Sequence, residues 1–147
     1  MKTEEDQGWW TDDSAANNIH LRCRKPGSSR TTKVIGSKAK TWGDWSGYSH
    51  CEGLNNPVVG FQVRNESPGG DDTSINDVKM ICRDGSKTIK VSAKTSWGEW
   101  RDKNVCQKGY AVVGIKTRFD QGGAIGSIAY DDTALNGIKV RCEYYVN

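Results

Sequence analysis

Residues 131–142 of the chain read DDTALNGIKVRC, and the same pattern occurs twice more, as DDTSINDVKMIC at residues 71–82 and as DDSAANNIHLRC at residues 12–23. The three copies begin 59 and 60 residues apart. A supersecondary unit that recurs at a nearly fixed interval predicts a fold with approximate threefold symmetry. Three equivalent units favour repeated binding sites or a structural role over one catalytic centre.

A second repeated element precedes the two later copies. The segments 42–45 and 97–100 read WGDW and WGEW, and they lead to Cys51 and Cys106 after the same interval. The first copy has no such element, because its position would fall before Met1. We therefore expect a single domain over residues 1–147, with 1–30 as the second half of repeat 1, 31–86 as repeat 2 and 87–147 as repeat 3. A second chain that completes repeat 1 is among the candidate partners.

The composition and the hydrophobic pattern indicate an all-β protein. The 147 residues are 35% hydrophobic and include 17 glycines and six tryptophans, which suits short strands joined by tight turns. Val78, Met80 and Cys82 alternate with Lys79 and Ile81, as in a strand with one buried face. Repeat 3 shows the same alternation over residues 138–143.

The asparagine that recurs in each copy is predicted to lie in a turn. The pairs at residues 17–18, 76–77 and 136–137 each stand between two strand-like segments. A two-residue hairpin turn needs positive φ, which Asn, Asp and Gly tolerate best.

Carboxylates and tryptophans are the candidate binding residues. The Asp pairs are expected to accept backbone hydrogen bonds at loops or, if symmetry gathers them, to hold sugar hydroxyls or a hard cation such as Ca²⁺. Tryptophan faces suit the apolar side of a pyranose, although tryptophans at equivalent positions more often pack between sheets. The candidates for carbohydrate binding are Asp12, Asp13, Asp71, Asp72, Asp131, Asp132, Trp9, Trp10, Trp45 and Trp100.

The five cysteines follow the repeats. Cys51 and Cys82 bracket repeat 2, and Cys106 and Cys142 bracket repeat 3, so one disulfide within each unit is the economical pairing. Cys23 is left over and is expected to be a free thiol or a bridge to a separate polypeptide. Disulfides indicate an oxidising compartment, although the chain begins without a secretory signal.

Other classes of function find little support in the sequence. No metal-binding Cys-x-x-Cys pair, phosphate loop or nucleophile triad occurs, so we expect no cofactor and no metal. The net charge of +3 comes with lysines on alternating strand positions, which indicates a solvated face and not a nucleic-acid interface. No segment is predicted to cross a membrane.

The repeated segments resemble the repeat of the vitelline membrane outer layer protein I family, secreted proteins of egg coats. The resemblance covers nearly the whole chain and is closest at residues 71–82 and 131–142. It implies a β-prism of three antiparallel Greek-key sheets around a pseudo-threefold axis.

The resemblance also implies a function. We expect a secreted carbohydrate-binding or structural coat protein, whose partners are glycans, especially N-acetylglucosamine oligosaccharides, or other extracellular coat proteins. Two alternatives stay open: an enzyme that processes such glycans, and the glycan-recognition part of a toxin-like protein. The enzyme would need two carboxylates at a set separation, which Asp pairs of different repeats could supply.

Overall fold

A computed structural model describes residues 1–3, 16–36, 43–66, 75–85, 88–91, 97–119 and 135–145. The regular elements of these residues are all β-strands. The strands are β1 (Lys2–Thr3), β2 (Ala16–Asn18), β3 (His20–Arg24), β4 (Thr31–Gly36), β5 (Asp44–Trp45), β6 (Val58–Asn65), β7 (Ile75–Cys82), β8 (Thr88–Val91), β9 (Glu99–Trp100), β10 (Asn104–Val105), β11 (Tyr110–Phe119) and β12 (Leu135–Tyr144).

Every strand pairing is antiparallel. One sheet has the order β2-β1-β5, a second has the order β10-β6-β7-β8 with β9 also beside β6, and β3-β4 and β11-β12 form two-stranded sheets. Only Ile19 separates β2 from β3, so the two are one interrupted strand. The predicted all-β, antiparallel and disulfide-linked fold is confirmed.

The three copies of the repeated segment meet at the centre of the molecule. The first copy forms β2 and β3, the second forms β7 and the third forms β12. Each of β2, β7 and β12 contacts the other two. Equivalent residues of the copies, Ala16, Ile75 and Leu135, are all buried in one hydrophobic cluster. The core therefore lies where the three copies converge, which fits the predicted threefold symmetry.

The recurring asparagines do not form hairpin turns, so that prediction is wrong. Arg64 pairs with Asp77 and Asn65 pairs with Ile75, which leaves Asn76 as an extra residue within β7. The strand pairings also leave Asn136 as an extra residue in β12 and Asn17 as an extra residue in β2. An extra residue of this kind is a β-bulge, which bends the strand and redirects its side chains.

The alternation predicted for β7 is confirmed. Val78, Met80 and Cys82 are buried, whereas Lys79 and Ile81 between them are partly exposed. One face of β7 therefore lies on the core and the other forms the outer surface of the sheet.

The backbone geometry of the repeated Trp-Gly-x-Trp segment requires its glycine. Gly43 has φ of 80° and Gly98 has φ of 78°, in the left-handed region that side chains disfavour. A Cβ atom at Gly98 would lie 2.4 Å from the carbonyl carbon of Asn65. This close turn brings β9 alongside the end of β6 and sets the position of Trp100.

Candidate functional site: an aromatic cleft

A cleft of about 1060 Å³ lies beside β3. One wall is β3 itself, and the opposite wall is the segment from Trp45 to Cys51. Residues of β11 and the end of β12 close the cleft on a third side. The cleft therefore lies where repeat 1 meets repeats 2 and 3.

The floor of the cleft is apolar. Ile19, Met80 and Ala111 are buried residues that line it. Leu21 and Val58 also line it and pack against the core cluster. The cleft thus reaches the hydrophobic core of the molecule.

The outer rim of the cleft carries large aromatic side chains. Trp45 is 49% exposed, Tyr48 is 61% exposed and Tyr144 is 69% exposed. The ring of Trp45 lies 4.4 Å from that of His20, and the guanidinium carbon of Arg22 lies 3.2 Å from the centre of the Tyr48 ring. Exposed rings beside an imidazole and a guanidinium combine apolar faces with hydrogen-bond donors, as a site for a polar, ring-shaped ligand requires.

Trp45 is not packed between sheets, contrary to the packing expected of equivalent tryptophans. Trp100, its equivalent in repeat 3, is half-buried on the outer face of the β6-β7 sheet. The ammonium nitrogen of Lys79 lies 3.7 Å from the centre of the Trp100 ring, and the guanidinium carbon of Arg64 lies 5.6 Å from it. The side chains that stack on Trp45 and Trp100 come from equivalent positions of the two repeats, His20 and Lys79.

Of the binding residues predicted from the sequence, the structure describes Trp45 and Trp100. Trp45 lines the cleft, whereas Trp100 lies outside it. Within the described ranges, no group of three or more His, Cys, Asp or Glu side chains is arranged to hold a metal ion. The remaining candidates lie outside the described residues, namely Asp12, Asp13, Asp71, Asp72, Asp131, Asp132, Trp9 and Trp10.

The cleft also contains residues that the sequence patterns did not indicate. Tyr48, Tyr144, His20 and Arg22 were not among the candidates. Tyr48 belongs to no repeated motif, and Tyr144 follows the last repeated cysteine. No sequence pattern therefore singled out these four residues.

The cysteines form the predicted bonds. Cys51 is bonded to Cys82 and Cys106 to Cys142, with Cα atoms 5.7 and 5.9 Å apart. Cys23 is partly buried, lines the cleft, and forms no disulfide within the described part of the chain.

Charge in the cleft is mainly positive. Arg22, Arg24 and Lys25 line it together with one described carboxylate, Glu143. The Glu143 carboxylate lies 2.7 Å from the Arg141 guanidinium, and both side chains are exposed. At the inner end, the Met1 ammonium donates a hydrogen bond of 3.0 Å to the Ser46 hydroxyl. Desolvation there lowers the pKa of the Met1 amine below its ordinary value of 8.0.

Comparison with known proteins identifies the family of this chain. The family pattern of Vitelline membrane outer layer protein I (VOMI) matches residues 1–143. The chain belongs to this family. It is 34% identical over 145 residues to the vitelline membrane outer layer protein 1 homolog of Mus musculus, an alignment that covers 97% of this chain and 68% of the relative. The homolog of Homo sapiens is also 34% identical over 145 residues, with 97% and 67% covered.

Membership of the VOMI family agrees with the resemblance of the repeated segments. The matched region contains both disulfides, the three bulged strands and every described residue of the cleft except Tyr144 and Tyr145. Across the described ranges, no helix is long and apolar enough to span a membrane.

Proposed function

We propose that this VOMI-family protein is a secreted coat protein that binds glycans through the aromatic rim of the cleft, with N-acetylglucosamine oligosaccharides as the ligand class. The observation that carries the proposal is the exposure of Trp45, Tyr48 and Tyr144 around one concave site. Large exposed apolar groups gathered at one place are typical of binding surfaces. The names of the relatives and the two disulfides support an extracellular location.

The rim suits a neutral sugar chain for a chemical reason. The C–H groups on one side of a pyranose ring pack on the flat face of an indole or phenol. Arg22 and His20 hold two of these rings and have N–H groups to donate to sugar hydroxyls or to the acetamido carbonyl. Together these groups provide the apolar faces and the few polar contacts that small-ligand sites combine.

The Asp pairs of the three repeats remain predicted sugar or cation contacts. The two alternative functions, a glycan-processing enzyme and a toxin's recognition part, also remain predictions, and no observation on the described residues favours either. Hydrolysis would use a pair of carboxylates, and Glu143 is the single carboxylate among the described residues of the cleft.

Titration calorimetry with tri-N-acetylchitotriose tests the proposal, with Trp45→Ala as the variant. Because Trp45 is half-exposed, its truncation removes ring surface from the rim with little effect on the core. We expect the affinity to fall at least about tenfold, which corresponds to roughly 1.4 kcal/mol. Trp100→Ala is the matched control, since Trp100 has the equivalent position in repeat 3 and lies outside the cleft.

Two outcomes would contradict the proposed binding site. Equal loss of affinity in the two variants would place the ligand elsewhere than the rim. No binding of this or any other oligosaccharide on a glycan array would leave a structural role in the coat, without carbohydrate recognition.

A further inference from the structure

The outer face of the β11-β12 sheet carries four exposed basic side chains. Lys116 and Arg118 belong to β11, and Lys139 and Arg141 belong to β12. Within each strand the two residues are separated by one position, so their side chains lie on the same side of the sheet. The hydrophobic residues that alternate with them pack against the core cluster, so this side faces solvent. We call these four residues the basic strip.

The pairing register joins the basic strip into one row. Lys116 lies directly opposite Lys139. Each arginine lies opposite a glycine, and these pairs are Arg118 with Gly137 and Arg141 with Gly114. Since antiparallel strands rise about 3.4 Å per residue, the row extends about 14 Å along the sheet. The positive charges of the strip therefore follow one diagonal line across an exposed surface.

The register also makes the basic strip an acceptor for anions. Like charges directly opposite each other destabilise a strand pair, so Lys116 and Lys139 repel each other in the free protein. An anion placed between the two ammonium groups is attracted by both and offsets this repulsion. The residue directly opposite each arginine has no side chain to cover the guanidinium, which can donate two parallel hydrogen bonds to one oxyanion.

The Glu143 carboxylate lies beside the basic strip and does not close it. It lies 2.7 Å from the Arg141 guanidinium, and the side chains of Arg141 and Glu143 are 77% and 52% exposed. An exposed ion pair of this kind contributes little stability, because water already solvates both charges. A ligand anion can therefore replace Glu143 at small cost.

Repeat 2 has the same backbone pairing but not the basic strip. Gln62 and Ile81 occupy the positions that Lys116 and Arg141 have in repeat 3. The shared fold therefore does not require a row of basic residues at this place.

The basic residues that repeat 2 does have at these positions contact groups of the protein itself. The Arg64 guanidinium lies 3.7 Å from the buried carboxylate of Asp77, which has the position of Gly137 in repeat 3. The Lys79 ammonium lies 3.7 Å from the centre of the Trp100 ring. Because repeat 3 has a glycine where repeat 2 has this carboxylate, the charge of its arginine is not neutralised from that position.

We propose that the basic strip binds a linear sulfated polysaccharide. A chain that carries sulfate groups at short, regular intervals meets all the basic residues of the strip at once, whereas a single small anion meets one adjacent pair. The strip lies on an open sheet face and not in a cavity, so its ligand gains affinity from length and charge. Its four positions contain no aromatic ring on which bases could stack, which favours a sulfated sugar chain over single-stranded nucleic acid.

This site differs from the aromatic cleft in place and in chemistry. None of the four residues of the basic strip lines the cleft. The rim of the cleft has ring faces for neutral sugars, whereas the strip has charge, so its binding should weaken steeply as the salt concentration rises. The proposal for the strip therefore does not rest on glycan binding at the cleft.

Fluorescence anisotropy with a labelled heparin decasaccharide, measured at several NaCl concentrations, tests the proposal on the intact protein. The test variant is Lys116→Gln/Lys139→Gln, which removes the central pair of the strip. The matched control is Lys33→Gln/Lys103→Gln, which removes the same charge from two exposed lysines outside the strip. A third variant, Lys116→Arg/Lys139→Arg, keeps the charge and should keep the affinity.

The expected loss follows from counterion release. A contact that releases about 0.7 of a counterion, as for a single-stranded polyanion, strengthens binding about fivefold at about 0.1 M salt relative to about 1 M. The test variant loses two contacts, so its affinity at about 0.1 M salt should fall roughly 25-fold, and the slope of log K against log salt should become less steep by about 1.4. The control variant should lose less than about twofold. Because the paired lysines repel each other, the test variant should be at least as stable in urea as the unmodified protein.

Four results would overturn the proposal. Equal losses in the test and control variants would assign the binding to net charge alone. Equal binding of fully desulfated, N-acetylated heparin would exclude sulfate as the recognised group, and tighter binding of single-stranded DNA of the same charge would assign the strip to nucleic acid. A test variant that loses stability and is not rescued by arginine would assign the lysines to the fold.

The proposals for the basic strip and for the cleft can fail separately. Trp45→Ala should leave the affinity for the heparin decasaccharide unchanged. The Lys116→Gln/Lys139→Gln variant should leave the affinity for tri-N-acetylchitotriose unchanged, because neither lysine lines the cleft.

Discussion

Replacing Gly98 with alanine tests the reason for the repeated Trp-Gly-x-Trp segment. Gly98 has φ of 78°, and a Cβ atom there would lie 2.4 Å from the carbonyl carbon of Asn65, 2.5 Å from its oxygen and 2.7 Å from the nitrogen of Glu66. These are backbone atoms, which cannot move aside as the end of a flexible side chain does. The substitution therefore combines a disfavoured φ with a direct overlap.

Each contribution has a known scale. A left-handed φ costs a residue with a Cβ atom about 1–2 kcal/mol. The lower entropy of alanine in the unfolded chain returns about 0.4–1 kcal/mol. Forcing extra volume into a packed contact costs about 1–3 kcal/mol more. We expect Gly98→Ala to lower the free energy of unfolding by roughly 2–4 kcal/mol, and the melting temperature by several degrees.

Gly85→Ala is the matched control. Gly85 has φ of 68°, and nothing lies within 4 Å of a Cβ atom built there. Gly85→Ala should lose the conformational contribution alone, roughly 0–1.6 kcal/mol. Urea unfolding followed by tryptophan fluorescence measures both variants. Equal losses would refute the claim that contact with Asn65, and not φ alone, selects the glycine.

Two further predictions concern the disulfides and the amino terminus. Paired alanine substitutions that remove the Cys51–Cys82 or the Cys106–Cys142 disulfide open loops of 31 and 36 residues. Loss of either disulfide should lower the free energy of unfolding by about 4 kcal/mol, because the unfolded chain gains entropy. A loss near zero in urea unfolding would contradict this. Desolvation lowers the pKa of the Met1 amine in the folded protein, so the unfolded chain binds more protons between the folded pKa and 8.0. The free energy of unfolding should therefore rise with pH over this range. Acetylation of the amine should abolish the rise, and a rise that persists would belong to another group.

The candidate site was predictable from the sequence only in part. Trp45 and Cys23 were identified because each belongs to a repeated pattern, and both line the cleft. Tyr48 and Tyr144 were not predicted, because their role depends on which strands they face and no local sequence pattern indicates those strands. The recurring asparagines were assigned to turns because a bulge residue and a turn residue share the same preferences for unusual backbone geometry.

The sequence by itself determined the repeated architecture, the strand alternation and the disulfide pairing. Each of these follows from spacing along one chain: period-two hydrophobicity, a unit copied at nearly equal intervals, and cysteines that bracket each unit. Only the tertiary structure decided that Asn17, Asn76 and Asn136 are bulges and that Trp45, Tyr48 and Tyr144 line one cleft beside β3. Register and the lining of a cleft depend on contacts between strands that are distant in sequence, and local preferences do not specify which strands come together.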